Sequence, residues 1–454
     1  MDEPTPEVDW SAGAVELLTR ARDWPEAGRP RRAGVSSFGV SGTNAHVILE
    51  QGDEAEAAVA EDAPEPGRDT ARPLPVVPLL LSARGATALR AQAARLRALL
   101  DEATERPALH DIGLTLAAHR AGLDHRAAVP AADEETFRAA LDALAQGRPY
   151  PGLVQGTASA GSGLAVVFSG QGAQRVGMGC GLYEAFPVFA AAFDEVCEAF
   201  DEVLPGSLKR VVFEGSVEEL GLTGWAQPGL FAVEVALFRL LVSWGVGPDV
   251  VMGHSLGELV AAHVAGVWSL GDACRVVAAR GRLMGGLASG GVMWAVEARE
   301  SEVVAEGVWV AAVNGPSSLV LSGAEDVVAG VVEGLVARGR RVRRLAVSHA
   351  FHSGLMEPML EEFAEVLAGV TFGEASIPVV SNVTGGVAGP ELSTPEYWVR
   401  HVRATVRFAD GVRALGALGV TTVLEVGPDG SLVGLVQDTA PETAGVAALR
   451  KDRD

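Results

Sequence analysis

The sequence predicts an α/β protein, and three patterns predict it. From Leu164 onward short apolar runs alternate with helical stretches, as buried parallel strands and their crossover helices do. One such run, residues 250–252, leads into Gly253-His254-Ser255-Leu256-Gly257-Glu258 and then a helical stretch over 258–264. Between 291 and 347 the order changes to β-α-β-β-α-β, which is the order of a ferredoxin-like insert.

The elements follow from local pattern. Residues 45–49 form an apolar strand after a Gly/Ser turn, and 53–75 are acidic and rich in Ala and Pro, the composition of a linker. Residues 76–81 begin a small α/β unit as a strand. Leu89, Ala93, Leu96 and Leu100 recur at helical spacing, and a second helix is expected over 134–144. Parallel strands are expected at 164–168, 250–252, 378–380 and 422–426. Within the insert the strands are 292–296, 308–313, 319–321 and 342–347, and the helices 301–306 and 327–337.

Bulk composition narrows the function. The chain has 454 residues, 48% of them hydrophobic, enough for a large core and for roughly two to four domains. A net charge of −22 argues against broad binding to nucleic acid or an anionic membrane, so an anionic ligand must rely on single arginines in a pocket. The three cysteines, Cys180, Cys197 and Cys274, lack metal-ligand spacing, which fits a reducing cytoplasm. Neither a signal peptide nor an apolar stretch long enough to span a bilayer is visible.

Four segments carry chemistry. The glycines around Ser255 suit a tight strand-to-helix turn that exposes a nucleophilic serine at a helix N-terminus, where developing negative charge is favoured. Gly170-Gln171-Gly172-Ala173-Gln174 follows another strand, and the Gln171 N–H is a candidate oxyanion donor opposite that of Leu256. A serine needs a base, and Ser348-His349-Ala350-Phe351-His352-Ser353 supplies two imidazoles where the insert rejoins the larger domain, a place for a cleft. Arg280, 25 residues after Ser255, suits a bidentate clamp on a carboxylate. Read singly, each has an ordinary alternative: a serine N-cap, a glycine-rich turn, a core histidine, a solvated helix arginine.

Together with Ser381-Asn382-Val383-Thr384, these motifs stand in the order and spacing of malonyl-CoA:ACP transacylases, which the chain resembles from about 164 to 436. Residues 31–50 resemble the C-terminal end of a β-ketoacyl synthase domain. Residues 76–150 look like the ketosynthase-to-acyltransferase linker domain of modular type I polyketide synthases. No ketosynthase cysteine and no carrier-protein serine motif is present, so the chain reads as a segment of such a synthase.

The resemblance implies an α/β-hydrolase-like large subdomain with an inserted ferredoxin-like small subdomain, preceded by a small α/β linker domain. It divides the chain into a ketosynthase remnant (1–52), an acidic linker (53–75), a linker domain (76–160), an acyltransferase domain (161–440, with the small subdomain at 291–347) and a closing linker (441–454). It implies Ser255 as nucleophile, His352 as base, Arg280 on the substrate carboxylate, and the Gln171 and Leu256 N–H groups as oxyanion donors. The residue whose backbone carbonyl orients the histidine corresponds to His401. His349, Phe351 and Leu256 are implied specificity positions, and Gln227 and Asn382 are pocket candidates. The His-Ala-Phe-His loop is the malonyl-using pattern, in which Phe351 fills the space of a 2-methyl group. Gly285 and Gly229 depart from the common Gln and Ala.

The implied activity is transfer of a malonyl unit from malonyl-CoA, through a serine ester, to the phosphopantetheine thiol of an acyl carrier protein. No bound cofactor or metal is implied, and the partners are the carrier protein and the other synthase domains. The competing expectations are a methylmalonyl-selective or promiscuous transferase and a related serine thioesterase or hydrolase.

Overall fold

The computed structural model describes residues 8–13, 17–18, 20, 22–24, 28–39, 42, 44–51, 74–103, 107–158, 161–303 and 305–451. The chain forms two units, Met1–Pro73 and Leu74–Asp454. Most of the expected acidic linker, residues 53–73, lies outside the described residues. In the first unit β1 (Arg32–Phe38) and β2 (Asn44–Glu50) pair antiparallel, from Arg32 opposite Glu50 to Phe38 opposite Asn44. The sequence suggested only the second of these strands. Val35, Phe38, Val47, Ile48 and Leu49 are all exposed on the hairpin.

The second unit opens with an antiparallel sheet of β3 (Val77–Ala83), β4 (His125–Ala131) and β5 (Val154–Thr157), in the order β3-β4-β5. Alternation along β3 buries Val77, Leu79, Leu81 and Ala83. The helix Ala86–Glu102 buries Leu89, Ala93 and Leu100, the face its spacing predicts. The helix Glu134–Ala145 follows, N-capped by Asp133 through the Thr136 N–H. β4, β5 and the helix Leu109–Ala118 escaped the sequence reading. That helix contains Gly113, where a Cβ would lie 2.6 Å from Val77 Cγ1, so packing requires a residue that weakens the helical pattern.

β6 (Gly163–Phe168) and β7 (Val250–Gly253) start the main sheet. The chain then leaves for β8 (Gly291–Val296), β9 (Val308–Gly315), β10 (Ser318–Ala324) and β11 (Val342–Arg344). It returns with β12 (Val379–Val380), β13 (Val420–Val426) and β14 (Ala444–Ala447). The main sheet runs β12-β7-β6-β13-β14, parallel throughout. The inserted sheet runs β11-β8-β10-β9, antiparallel throughout, which is the ferredoxin-like order. Backbone hydrogen bonds Val313 N–H to Val406 O and Val406 N–H to Ala311 O, each 2.9 Å, stitch the insert to the large subdomain.

Four expectations need correction. The helix expected over 301–306 is a single 3-10 turn, Glu300–Glu302, too short a stretch to repay helix nucleation. The strand expected to reach 347 ends at Arg344. Leu345 N–H still bonds Met293 O at 2.9 Å, but the chain then peels away toward His349. The closing linker expected from 441 instead supplies edge strand β14, whose Ala-Gly-Val-Ala lacks a strong apolar run. The helix Thr223–Ser243 is long and apolar enough to cross a membrane by length and composition, though 78% of that window is buried in the protein. It packs in the main core with the fully buried Glu234.

Candidate active site

The site is assembled at the C-terminal end of β7. A Cβ on Gly253 would lie 1.9 Å from Gly257 C, and one on Gly257 would lie 2.2 Å from Phe168 O, so both positions admit only glycine. Gly170 is similarly constrained, by His254 O at 2.7 Å. Between them Ser255 takes φ 53° and ψ −105° and caps the helix Leu256–Val264. Among the described non-glycine residues only Ser255 and His352, at φ 54°, have positive φ.

His352 is 5% exposed, and its Nδ1 lies 2.8 Å from the Ala404 carbonyl. A carbonyl only accepts, so Nδ1 carries the proton and Nε2 presents its lone pair. The Ser255 hydroxyl donates to that Nε2 across 2.7 Å. Burial holds the imidazole well below its ordinary pKa, helped by the charges of Arg280 and His401 and opposed by the Ala404 hydrogen bond. The ring is therefore neutral, and basic at Nε2, at neutral pH.

The Arg280 side chain comes from the helix Leu270–Gly285 and is 2% exposed. It donates from Nη2 to Ser255 Oγ at 3.1 Å and from Nη1 to Gln227 Oε1 at 2.8 Å, while its Nε finds no partner among the described residues. Burial lowers its pKa to about 10, against the supporting charge of Glu258.

A chain of hydrogen bonds continues from there to the loop where the insert rejoins the large subdomain. Gln227 Nε2 donates to Gln171 Oε1 (3.3 Å) and Gln171 Nε2 to Thr223 Oγ1 (3.4 Å). Thr223 Oγ1 lies 3.2 Å from Ser348 Oγ, and Ser348 Oγ lies 2.8 Å from His349 Nδ1. His349 Nε2 donates to Leu287 O at 2.9 Å. Gln171 and Leu256, the expected oxyanion donors, give their backbone N–H groups to no acceptor among the described residues. The Leu256 side chain is fully buried in the main core. Phe351 is 8% exposed, its ring 6.1 Å from that of His349.

Two expected roles change. The carbonyl that holds His352 belongs to Ala404, not His401. Ala404 is the first extended residue beyond the helix Pro395–Arg403, so its carbonyl is free to turn toward the imidazole. The His401 ring instead lies inward, its Nε2 3.2 Å from Glu258 Oε2 but off the line of a hydrogen bond. Asn382 is a clamp rather than a pocket wall. Its Oδ1 accepts the Ser255 N–H and its Nδ2 donates to Gly253 O, both at 2.7 Å, which consumes the amide on the turn itself.

Thr223, Ala404 and Tyr397 were not singled out by motif, whereas Ser348 opens the histidine segment and Glu258 ends the serine motif, neither with a role assigned. Gly229 faces Val212, Leu220 and Met178 and so lies on the core side of its helix, whereas Gly285 faces Thr223. A groove of about 630 Å³ lined by Leu360, Val399, Arg400 and Ala404 includes neither Ser255, His352 nor Arg280 in its wall.

Comparison with known proteins gives a consistent result. An acyl transferase domain family matches residues 165–452, and a ketoacyl-synthetase C-terminal extension family matches residues 4–129. The mycoketide-CoA synthase of Mycobacterium tuberculosis is 52% identical over 460 residues, covering 100% of this chain and 11% of that protein. The chain spans between 8% and 22% of the length of three such curated relatives. The acyltransferase domain from the second module of the salinomycin polyketide synthase is 54% identical, with a TM-score of 0.70 over 82% of this chain and 89% of that one. A malonyl-transacylase solved in complex with a type II polyketide synthase acyl carrier protein is 33% identical, with a TM-score of 0.60 over 64% of this chain and 97% of that one.

Proposed function

The chain belongs to the acyl transferase domain family of modular polyketide synthases, and from that premise we propose that it loads malonyl units onto an acyl carrier protein. His352 Nε2 takes the Ser255 proton as Oγ attacks the thioester carbonyl of malonyl-CoA. The tetrahedral oxyanion rests on the N–H groups of Gln171 and Leu256. Its collapse expels the CoA thiol, which carries away the proton held by His352. The phosphopantetheine thiol of the carrier protein then attacks the serine ester and gives its own proton to His352 Nε2, which passes it to the departing Ser255 Oγ. Arg280 exchanges its contact with Ser255 Oγ for the free carboxylate of the malonyl group. Phe351 occupies the space that a 2-methyl substituent needs. Synthase domains beyond this chain, in a reducing cytoplasm, are the setting for the reaction.

One observation carries the proposal: Ser255 Oγ lies between a neutral imidazole at 2.7 Å and a buried guanidinium at 3.1 Å. A buried cation beside a nucleophile calls for an anionic acyl group. A hydrolase needs no such cation, and its histidine commonly leans on a carboxylate, where His352 has the Ala404 carbonyl.

The test is transfer from radiolabelled malonyl-CoA in the presence of a carrier protein. Ser255→Ala is expected to abolish labelling of the chain, and Arg280→Ala to shift preference from malonyl-CoA toward acetyl-CoA. Labelling that survives Ser255→Ala, or hydrolysis that outruns transfer with carrier present, overturns the proposal.

A further inference from the structure

The serine motif ends in Glu258, which the reaction as written does not use. Its side chain is fully buried in the first turn of the helix Leu256–Val264, where the helix dipole favours a negative charge. Two donors and one close imidazole converge on it. Oε2 accepts the Asn382 N–H at 2.8 Å, Oε1 accepts the Tyr397 hydroxyl, and His401 Nε2 lies 3.2 Å from Oε2. Each leads back to the reacting groups. The Asn382 side chain holds the Ser255 N–H. Tyr397 and His401 belong to the helix Pro395–Arg403, and the next residue, Ala404, holds His352. The His401 ring also stands edge-on to that of His352, centroids 6.1 Å apart. Ser381 Oγ, 2.5 Å from the Tyr397 hydroxyl, braces the same turn.

We infer that Glu258 is a positioning residue: through Asn382 it fixes the Ser255 turn, and through Tyr397 it fixes the helix end whose Ala404 carbonyl holds His352, so that both reacting groups share one frame. The inference rests on the roles proposed above for Ser255 and His352.

Glu258→Gln keeps the shape and one acceptor but removes the charge. Malonyl-serine formation is followed in parent and variant, with acetyl-CoA as the comparison donor. The expected result is a fall of roughly tenfold in kcat for both donors with KM for malonyl-CoA unchanged. A merely structural role would lower the melting midpoint and the active fraction but not kcat per active site. Parental kcat per active site, or a loss confined to KM, overturns the inference. Should Glu258→Gln fail to fold, Tyr397→Phe removes one donor: reduced kcat at unchanged KM supports the tie, and parental kcat overturns it. Ser255→Ala is run in parallel. Label retained there sinks the site itself, whereas label lost there beside a parental Glu258→Gln sinks only this inference.

Discussion

Ser255 and His352 hold backbone conformations that cost on the order of 1–3 kcal/mol each, and the cost is spent on aim. The serine stands clear of its helix, and the imidazole turns one nitrogen to Ala404 O and the other to Ser255 Oγ. A neutral His352 sets the pH dependence. Acid protonates Nε2 and removes the base, so malonyl-serine formation should fall only below the ordinary imidazole value of 6.5. Stopped-flow acylation across pH checks this, and an acid limb at or above 6.5 contradicts it. Phe351→Ser should admit the 2-methyl group and shift selectivity toward methylmalonyl-CoA by about 1–3 kcal/mol, read as a ratio of kcat/KM values. Side chains that do chemistry were legible here: Ser255, His352 and Arg280 each stood in a recognisable pattern, and the structure brings the last two within hydrogen-bond reach of the Ser255 hydroxyl. Ala404 was not legible, because a carbonyl contact places no demand on the side chain. His401, three residues earlier, was implied only by correspondence with the family.

The turn that carries the serine shows how an element is dictated by what it excludes. Gly253→Ala would drive a methyl group into the Gly257 carbonyl carbon, 1.9 Å away, and should cost about 3 kcal/mol or more. A thermal melt checks this, and an unchanged midpoint would show that the turn has slack. Strong apolar runs such as β6 and β13 were readable to within two residues. Elements built from Ala, Gly and Pro were not. β4 is His-Arg-Ala-Ala-Val-Pro-Ala and β14 is Ala-Gly-Val-Ala, and both exist because a neighbouring strand offers its edge. The short turn Glu300–Glu302 failed in the other direction, helical in pattern but too brief to persist.

At the scale of the molecule, the linker sheet and the main α/β body keep separate hydrophobic cores. Leu79, fully buried in the first of these, can therefore be emptied without touching the site. Leu79→Ala should destabilise the linker unit by about 2–5 kcal/mol, seen in its melting, while malonyl-serine formation below that transition stays near the parental rate. A proportional loss of acylation would mean that the two cores are energetically one. The parallel sheet brings the turn of β7 to its C-terminal edge, and the insert returns His352 to the same place. That convergence is the central claim. Its most direct measurement is intact-mass analysis of the chain after exposure to equal malonyl-CoA and methylmalonyl-CoA, followed by peptide mapping. One malonyl group per chain is expected, carried on the peptide that contains Ser255. An adduct on any other residue, or methylmalonyl in excess, would contradict it.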